Sequence, residues 1–368
     1  MNGISIRLGT RRSALATTQA GMVADQLRAL GHAVEMVEIT TVGDTSTASL
    51  SSIGGTGVFA TAIRQALLTG EIDVAVHSLK DLPVAPEPGL VIAAIPVRED
   101  ARDALVARDG LTLGELPAGS VVGTGSPRRA AQLAALGLGL RVTDLRGNVD
   151  TRISLVHNGS LDAVLLACSG LNRLSRMNDV TEILDPLQML PAPGQGALAV
   201  ECREDRKDLV EALAPLDDAD TRACVTAERA LLAALEAGCT APVGALAEVV
   251  DSEHGTELFL RAFAGTEDAS IDLRRSGVGS LMEPERLGRE LAAVLLADGA
   301  VDIAGLRSGI SPAGEDPFNQ PFDQQHDQPP GQTEASGSDG SVATEIVQSV
   351  GSQPAASLPH RSASESAS

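Results

Sequence analysis

The chain has 368 residues, a formal net charge of −21, two lysines, and neither tryptophan nor tyrosine. That balance excludes a general nucleic-acid binder, which needs a basic face for phosphate and aromatic side chains for the bases, so any polyanion must be met locally. Four cysteines (Cys168, Cys202, Cys224, Cys239) with no C-x-x-C pair point to neither a zinc site nor a disulfide framework, and fit a reducing cytoplasm.

At about 150 residues per domain the length gives two or three domains. The N-terminus "MNGISIRLGT" has no leader pattern, and no apolar run nears the roughly 20 residues that span a bilayer, so neither export nor membrane contact is expected. Strand "ISIRL" leads into a helix over 13–30 that Gly31 stops, then strand "VEMVEI", a helix near 58–68 that Gly70 stops, and strand "DVAVHS". The intervening stretch "TVGDTSTASLSSIGGTGVF", 41–59, reads either as a lid or as an ordinary surface loop. It is not a nucleotide P-loop, because "GGTGVF" lacks the following Lys-Ser/Thr.

A second series, "DALVAR", "SVVGTG", "LRVTDLRG" and "DAVLLA", begins near Asp103 with helices between its strands, which gives two α/β lobes. After Pro215 the helical stretch "DADTRACVTAERALLAALEAG" leads to Cys239. Strand-like runs "VGALAEVV", "ELFLRAFAG" and "ASIDLRR" follow, with one more helix from about Pro284, as in a smaller α+β domain. From about Gly309 the composition turns to Ser, Gln, Pro, Gly and acids. Such a segment buries too little apolar area to offset its ordering entropy, and is expected to be a disordered acidic tail.

Arginines recur where strands turn into helices. In "VVGTGSPRRAAQLAALG", Ser126 is the predicted N-cap and Pro127 the first helical residue, so Arg128 and Arg129 fall in the first turn. The helix dipole is already positive there and disfavours each by about 0.3–1 kcal/mol unless an anion is near. "GTRRSALA" (Arg11, Arg12, Ser13), "LRGNVDTRI" (Arg146, Asn148, Arg152) and "LACSGLNRL" (Ser169, Arg173) repeat the pattern. One such arginine is commonly a surface salt bridge. Four junctions together predict a cleft between the lobes that grips a ligand with several negative charges, most simply carboxylates.

Lys80 and Asp81 stand side by side in "VAVHSLKDLP". Either they pair across a turn, or the carboxylate is kept in a cationic cleft for chemistry on a developing positive charge. Cys239, after Gly238, sits on a turn at a helix end. A lone cysteine there is either inert or an attachment point.

Five stretches carry a resemblance in this order: "HSLKDLP", "VGTGSPRRAAQL", "LRGNVDTRI", "LPAPGQGALAVECR" and "AERALLAALEAGCTAPVGA". From about Ile4 to about Arg307 the chain resembles the hydroxymethylbilane synthase family, also called porphobilinogen deaminase. The resemblance implies two type II periplasmic-binding-protein-like α/β domains, a smaller α+β C-terminal domain, and then the disordered tail. Domain 1 is expected at 1–96 and 197–214, domain 2 at 97–196, domain 3 at 215–307, and the tail at 308–368.

The implied activity is that of a transferase in porphyrin and haem biosynthesis. It joins four porphobilinogen molecules with loss of ammonia into the linear tetrapyrrole hydroxymethylbilane, starting from a covalent dipyrromethane cofactor. By the match of "GCTAPVG", Cys239 holds that cofactor through a thioether. Asp81 takes the catalytic role, and Lys80, Ser13, Ser126, Arg128, Arg129 and Arg146 hold the cofactor. Arg11, Arg152, Arg173 and Gln19 bind substrate. No metal is implied, and the family resemblance suggests a cytoplasmic monomer.

Some positions depart from relatives. Thr56 and Thr61 stand where several carry lysine, and Pro127 where they often carry leucine. The alternative is a non-catalytic dicarboxylate-binding protein of the same lobe architecture, which would have no use for Asp81 or Cys239.

Overall fold

Strand β1 (Ser5–Arg11) buries Ile6 and Leu8 and runs into helix α1 (Ala14–Ala29), whose start is capped by Ser13 Oγ accepting from Ala16 N–H at 3.3 Å. One face of α1, with Ala20, Val23, Ala24 and Leu27, packs on the sheet, and the helix stops before Gly31 at φ 91°. The computed structural model describes residues 3–40, 58–237, 241–253, 255–303 and 306, all within one compact unit, Met1–Ala313. The 41–57 part of the glycine-rich stretch with Thr56, Cys239, and the acidic tail lie outside the described residues.

The first sheet continues through β2 (Ala33–Ile39), α2 (Val58–Leu68), β3 (Val74–Ser78) and β4 (Leu90–Ala94). The chain then builds a second sheet from β5 (Asp103–Ala107), β6 (Val121–Gly123), α3 (Pro127–Ala135), β7 (Arg141–Thr143), α4 (Val149–His157), β8 (Ala163–Ala167), α5 (Cys168–Arg173) and β9 (Glu182–Ile183). It returns to the first sheet as β10 (Leu198–Arg203).

The orders are β2-β1-β3-β10-β4 and β7-β6-β8-β5-β9. In each, four strands run parallel and one, β10 or β5, runs antiparallel between its two neighbours. Both sheets therefore follow one plan, in keeping with the two α/β lobes expected from the sequence. The strands at Leu90–Ala94, Glu182–Ile183 and Leu198–Arg203 were not among those expected from apolar runs.

Two crossovers join the sheets, and they touch: Glu99 N–H donates to Gly196 O at 3.3 Å. Gly196 has φ 90°, and a Cβ there would strike Glu99 O, so only glycine lets the two segments lie this close.

After β10 come α6 (Lys207–Leu213) and α7 (Ala219–Ala234), the latter capped by Asp218 Oδ1 accepting from Thr221 N–H at 2.8 Å. A three-stranded antiparallel sheet, β11 (Val243–Ser252), β12 (Gly255–Gly265) and β13 (Asp272–Ser280), is covered by α7 and α8 (Pro284–Ala297) around Leu231, Leu258, Leu260, Leu291 and Leu295. The two helices approach so closely that a Cβ on Gly288 would meet Ala227 O. Among the described residues no helix is long and apolar enough to cross a membrane.

Candidate active site

In open α/β sheets, ligands bind beyond the carboxyl ends of the parallel strands, where side chains leave the sheet and helix N-termini converge. A cavity of about 750 Å³ lies there, lined from both lobes. The first sheet supplies Arg11 from the end of β1, Ser13 and Gln19 from α1, and Lys80 and Asp81 from the single turn Leu79–Asp81 that follows β3. The second supplies Arg129 after β6, Arg146 after β7, Arg152 from α4, and Arg173 from α5.

Arg128 and Arg129 are 3% and 6% exposed, and share one buried carboxylate. Arg129 Nη2 donates to Asp103 Oδ1 at 2.7 Å, and Arg128 Nη2 lies 2.8 Å from Asp103 Oδ2. Burial alone would raise the Asp103 carboxyl, but the two guanidinium charges win and hold it well below the usual carboxylate range. Asp103 also accepts from Gln195 Nε2 at 2.9 Å, and Gln195 Oε1 accepts from Lys80 Nζ at 3.2 Å. A continuous polar chain thus runs from the first lobe through the return crossover into the second.

Two cations against one anion leave this corner positive. The Lys80 ammonium is pushed down to about 8, first by burial and then by Arg129 and Arg128 against the opposing pull of Asp81 and Asp103. Burial also lowers Arg152, helped by Arg129 and Arg146 and opposed by Asp144. Buried cations set beside further cations are stabilised by anions placed among them.

The remaining arginines are aimed by backbone carbonyls. Arg152 Nε donates to Gly147 O at 2.8 Å, and Arg173 Nη2 to Gly196 O at 2.8 Å. Arg173 Nε also donates to Glu99 Oε1 at 2.8 Å, so this arginine ties both crossovers to α5. Arg146 is more exposed and lies 4.0 Å from Asp144. Gln19, buried, is fixed by Nε2 donating to Ser78 Oγ at 2.9 Å. Asp81, in contrast, is exposed on its turn.

Of the residues expected from the sequence, the cavity gathers Arg11, Ser13, Gln19, Lys80, Asp81, Arg129, Arg146, Arg152 and Arg173. Arg128 is not part of the lining and stands behind Arg129. Ser126 holds the N-cap position of α3, but its side chain makes no cap hydrogen bond; it follows Gly125, which does line the cavity. Thr61 is exposed on α2. Sequence reasoning missed Asp103 and Gln195. An acid leading the otherwise apolar run "DALVA" was the available signal for the first, and the glycine-flanked amide of "PGQGA" for the second. No cluster of metal-ligating side chains occurs among the described residues.

Fold and cavity together define a two-lobed α/β protein with a cleft for a ligand bearing several carboxylates. Two family models match: porphobilinogen deaminase, dipyromethane cofactor binding domain, over residues 6–211, and porphobilinogen deaminase, C-terminal domain, over residues 222–297. The chain is similar to porphobilinogen deaminase of Mycobacteroides abscessus, at 61% identity over 305 residues, 82% of this chain and 99% of the relative. It is similar as well to those of Mycobacterium marinum, 59% identical over 84% of this chain and 99% of the relative, and Mycobacterium tuberculosis, 60% identical over 81% and 98%. Among solved structures, the methionine binding protein MetQ covers 58% of this chain and 89% of its own at 15% identity and a TM-score of 0.37, too distant to carry weight beside the sequence matches. The chain belongs to the porphobilinogen deaminase family, and the dipyrromethane cofactor belongs to its first matched region.

Proposed function

We infer that the chain is a hydroxymethylbilane synthase, a transferase that joins four porphobilinogen molecules head to tail with loss of ammonia into hydroxymethylbilane for porphyrin biosynthesis. The observation that carries this reading is the exposed carboxylate of Asp81 at a cavity ringed by guanidinium groups from both lobes. Porphobilinogen bears an acetate and a propionate arm, so each ring brings two carboxylates to a cavity where cationic side chains outnumber acidic ones. Charge-assisted hydrogen bonds of roughly 1.5–3 kcal/mol each hold such a ligand on a protein of net negative charge.

The residues fit a dipyrromethane. Its two rings carry four carboxylates, and anions at that spot oppose the burial, and after it the neighbouring cations, that lower Lys80 and Arg152. When bound, dipyrromethane supplies the free pyrrole carbon to which the first porphobilinogen is joined. Arg129, Arg146, Lys80, Ser13 and Ser126 hold its acid arms, with Arg128 adding charge from behind Arg129. Arg11, Arg152, Arg173 and Gln19 orient the incoming substrate.

Departure of ammonia breaks the aminomethyl C–N bond and leaves a cationic carbon. Asp81 stabilises that charge, accepts hydrogen bonds from pyrrole N–H groups, and takes the proton released when the new C–C bond forms.

Cys239 is the attachment point in this reading. Its flanking elements both dock on the return crossover: Glu228 Oε2 on α7 accepts from Gly194 N–H at 2.6 Å, and Ala245 N–H on β11 donates to Pro191 O at 2.9 Å. The other cysteines are free and buried, with burial pushing Cys168 and Cys224 up to about 12 and Cys202 up to about 11, so they stay protonated and unreactive.

The domains are taken as 1–96 with 197–214, 97–196 and 215–307, in a monomer working in the cytoplasm. Incubation with porphobilinogen tests the reading: four ammonia released per tetrapyrrole is expected, and binding without ammonia release refutes it.

A further inference from the structure

Asp81 rides on one short turn with little backbone support of its own: Leu79 N–H donates to Ala197 O at 3.0 Å and Leu82 N–H to Leu79 O at 3.2 Å. Leu79 and Leu82 are buried in a small apolar cluster with Ile95, Ala197 and Val225, and a groove of about 520 Å³ lies beside it. Arg229, from α7, lines that groove and reaches the turn. Its Nη1 donates to Leu79 O at 3.3 Å and Leu82 O at 3.1 Å, and its Nη2 to Pro83 O at 2.7 Å. One rigid, planar guanidinium therefore collects three carbonyls that bracket Lys80 and Asp81.

The residue before it fixes the same helix to the crossovers. Glu228, fully buried, takes Arg98 Nη1 at 2.6 Å and Nη2 at 3.0 Å, Gly194 N–H at 2.6 Å, and Ala247 N–H at 2.9 Å. Helix α7 is thus pinned to both crossovers and to the turn bearing Asp81, and it ends five residues before Cys239.

We propose that Arg229 is a positioning residue for the transferase reaction, clamping the Leu79–Pro83 turn to α7 so that the helix leading to the cofactor cysteine also sets where the Asp81 carboxylate stands. Arg229 is outside the lining of the substrate cavity, so it acts through the turn and not by touching the ligand. The proposal rests on the function inferred above and adds a role that function does not itself require.

The test uses the full-length holoprotein with Arg229→Met, which keeps the apolar stem, and Arg229→Lys, which keeps the charge but cannot collect three carbonyls. Misplacing a catalytic group by about 1 Å costs on the order of a hundredfold. Arg229→Met is therefore expected to lower kcat ten- to a hundredfold with KM within about twofold, and Arg229→Lys to recover part of that loss. Amide exchange should quicken at 79–82 while α7 and β11 keep their protection. A kcat within about twofold of the parent in Arg229→Met would overturn the proposal. So would equal losses in both variants with exchange raised across α7 and β11, the signature of a merely structural residue. Tetrapyrrole synthesis by the unaltered protein in the same assay separates failure of this proposal from failure of the function itself.

Discussion

Arg129 Nη2 donates to Asp103 Oδ1 at 2.7 Å between two side chains that are almost wholly buried, with Arg128 at the other oxygen of the same carboxylate. Removing that single negative charge strands two guanidinium groups beside each other. Asp103→Asn should therefore cost about 3–5 kcal/mol in denaturant-induced unfolding, the usual penalty for breaking a buried ion pair from one side. The carboxyl lies far below its unfolded value of about 3.9, so its stabilisation is present above that pH and is lost only in strong acid, as pH falls toward the folded value. Between pH 5 and 8 the difference between parent and variant should stay flat.

Asp81 makes the opposite case. It is exposed and carries little structural burden, so Asp81→Ala should keep the parental melting temperature. Turnover of porphobilinogen should fall by at least about a hundredfold, the low end for loss of a general acid–base group. Tetrapyrrole formation near the parental rate would remove Asp81 from the chemistry.

Lys80 reports on the ligand's charge. In cofactor-free protein its amine should titrate with a midpoint near pH 8, seen as acylation of the Lys80 peptide followed by mass spectrometry. Because the folded value is depressed, the buried cation destabilises the fold below about pH 8. That penalty is relieved as pH rises toward the unfolded value of about 10.4. Loading with dipyrromethane brings carboxylates close and should move the midpoint upward. An unmoved midpoint would mean the acid arms lie elsewhere.

The helices and most central strands were legible because their cues are local. Ser13 and Asp218 cap where a small polar residue precedes an apolar face, and Gly31 stops α1 where φ must be positive. The edge strand β9, only Glu182–Ile183, is too short to show a period, and β10 is completed by pairing with strands more than a hundred residues earlier. In the site, the arginines were visible as charges at helix starts. Their shared partner was not, because Asp103 looks like a strand boundary until the fold brings Arg128, Arg129 and Gln195 around it. The clamp of Arg229 on the Leu79–Pro83 turn, likewise, spans about 150 residues that no local pattern links.

The most direct test is the intact mass of the purified full-length chain, of Cys239→Ser, and of each after brief exposure to porphobilinogen. The account predicts a two-pyrrole adduct on the parent, a ladder of further single-pyrrole increments after exposure, and the bare polypeptide mass for Cys239→Ser under both conditions. A parent protein of bare mass that gains nothing from porphobilinogen, or a Cys239→Ser variant that carries the same adduct, would contradict it.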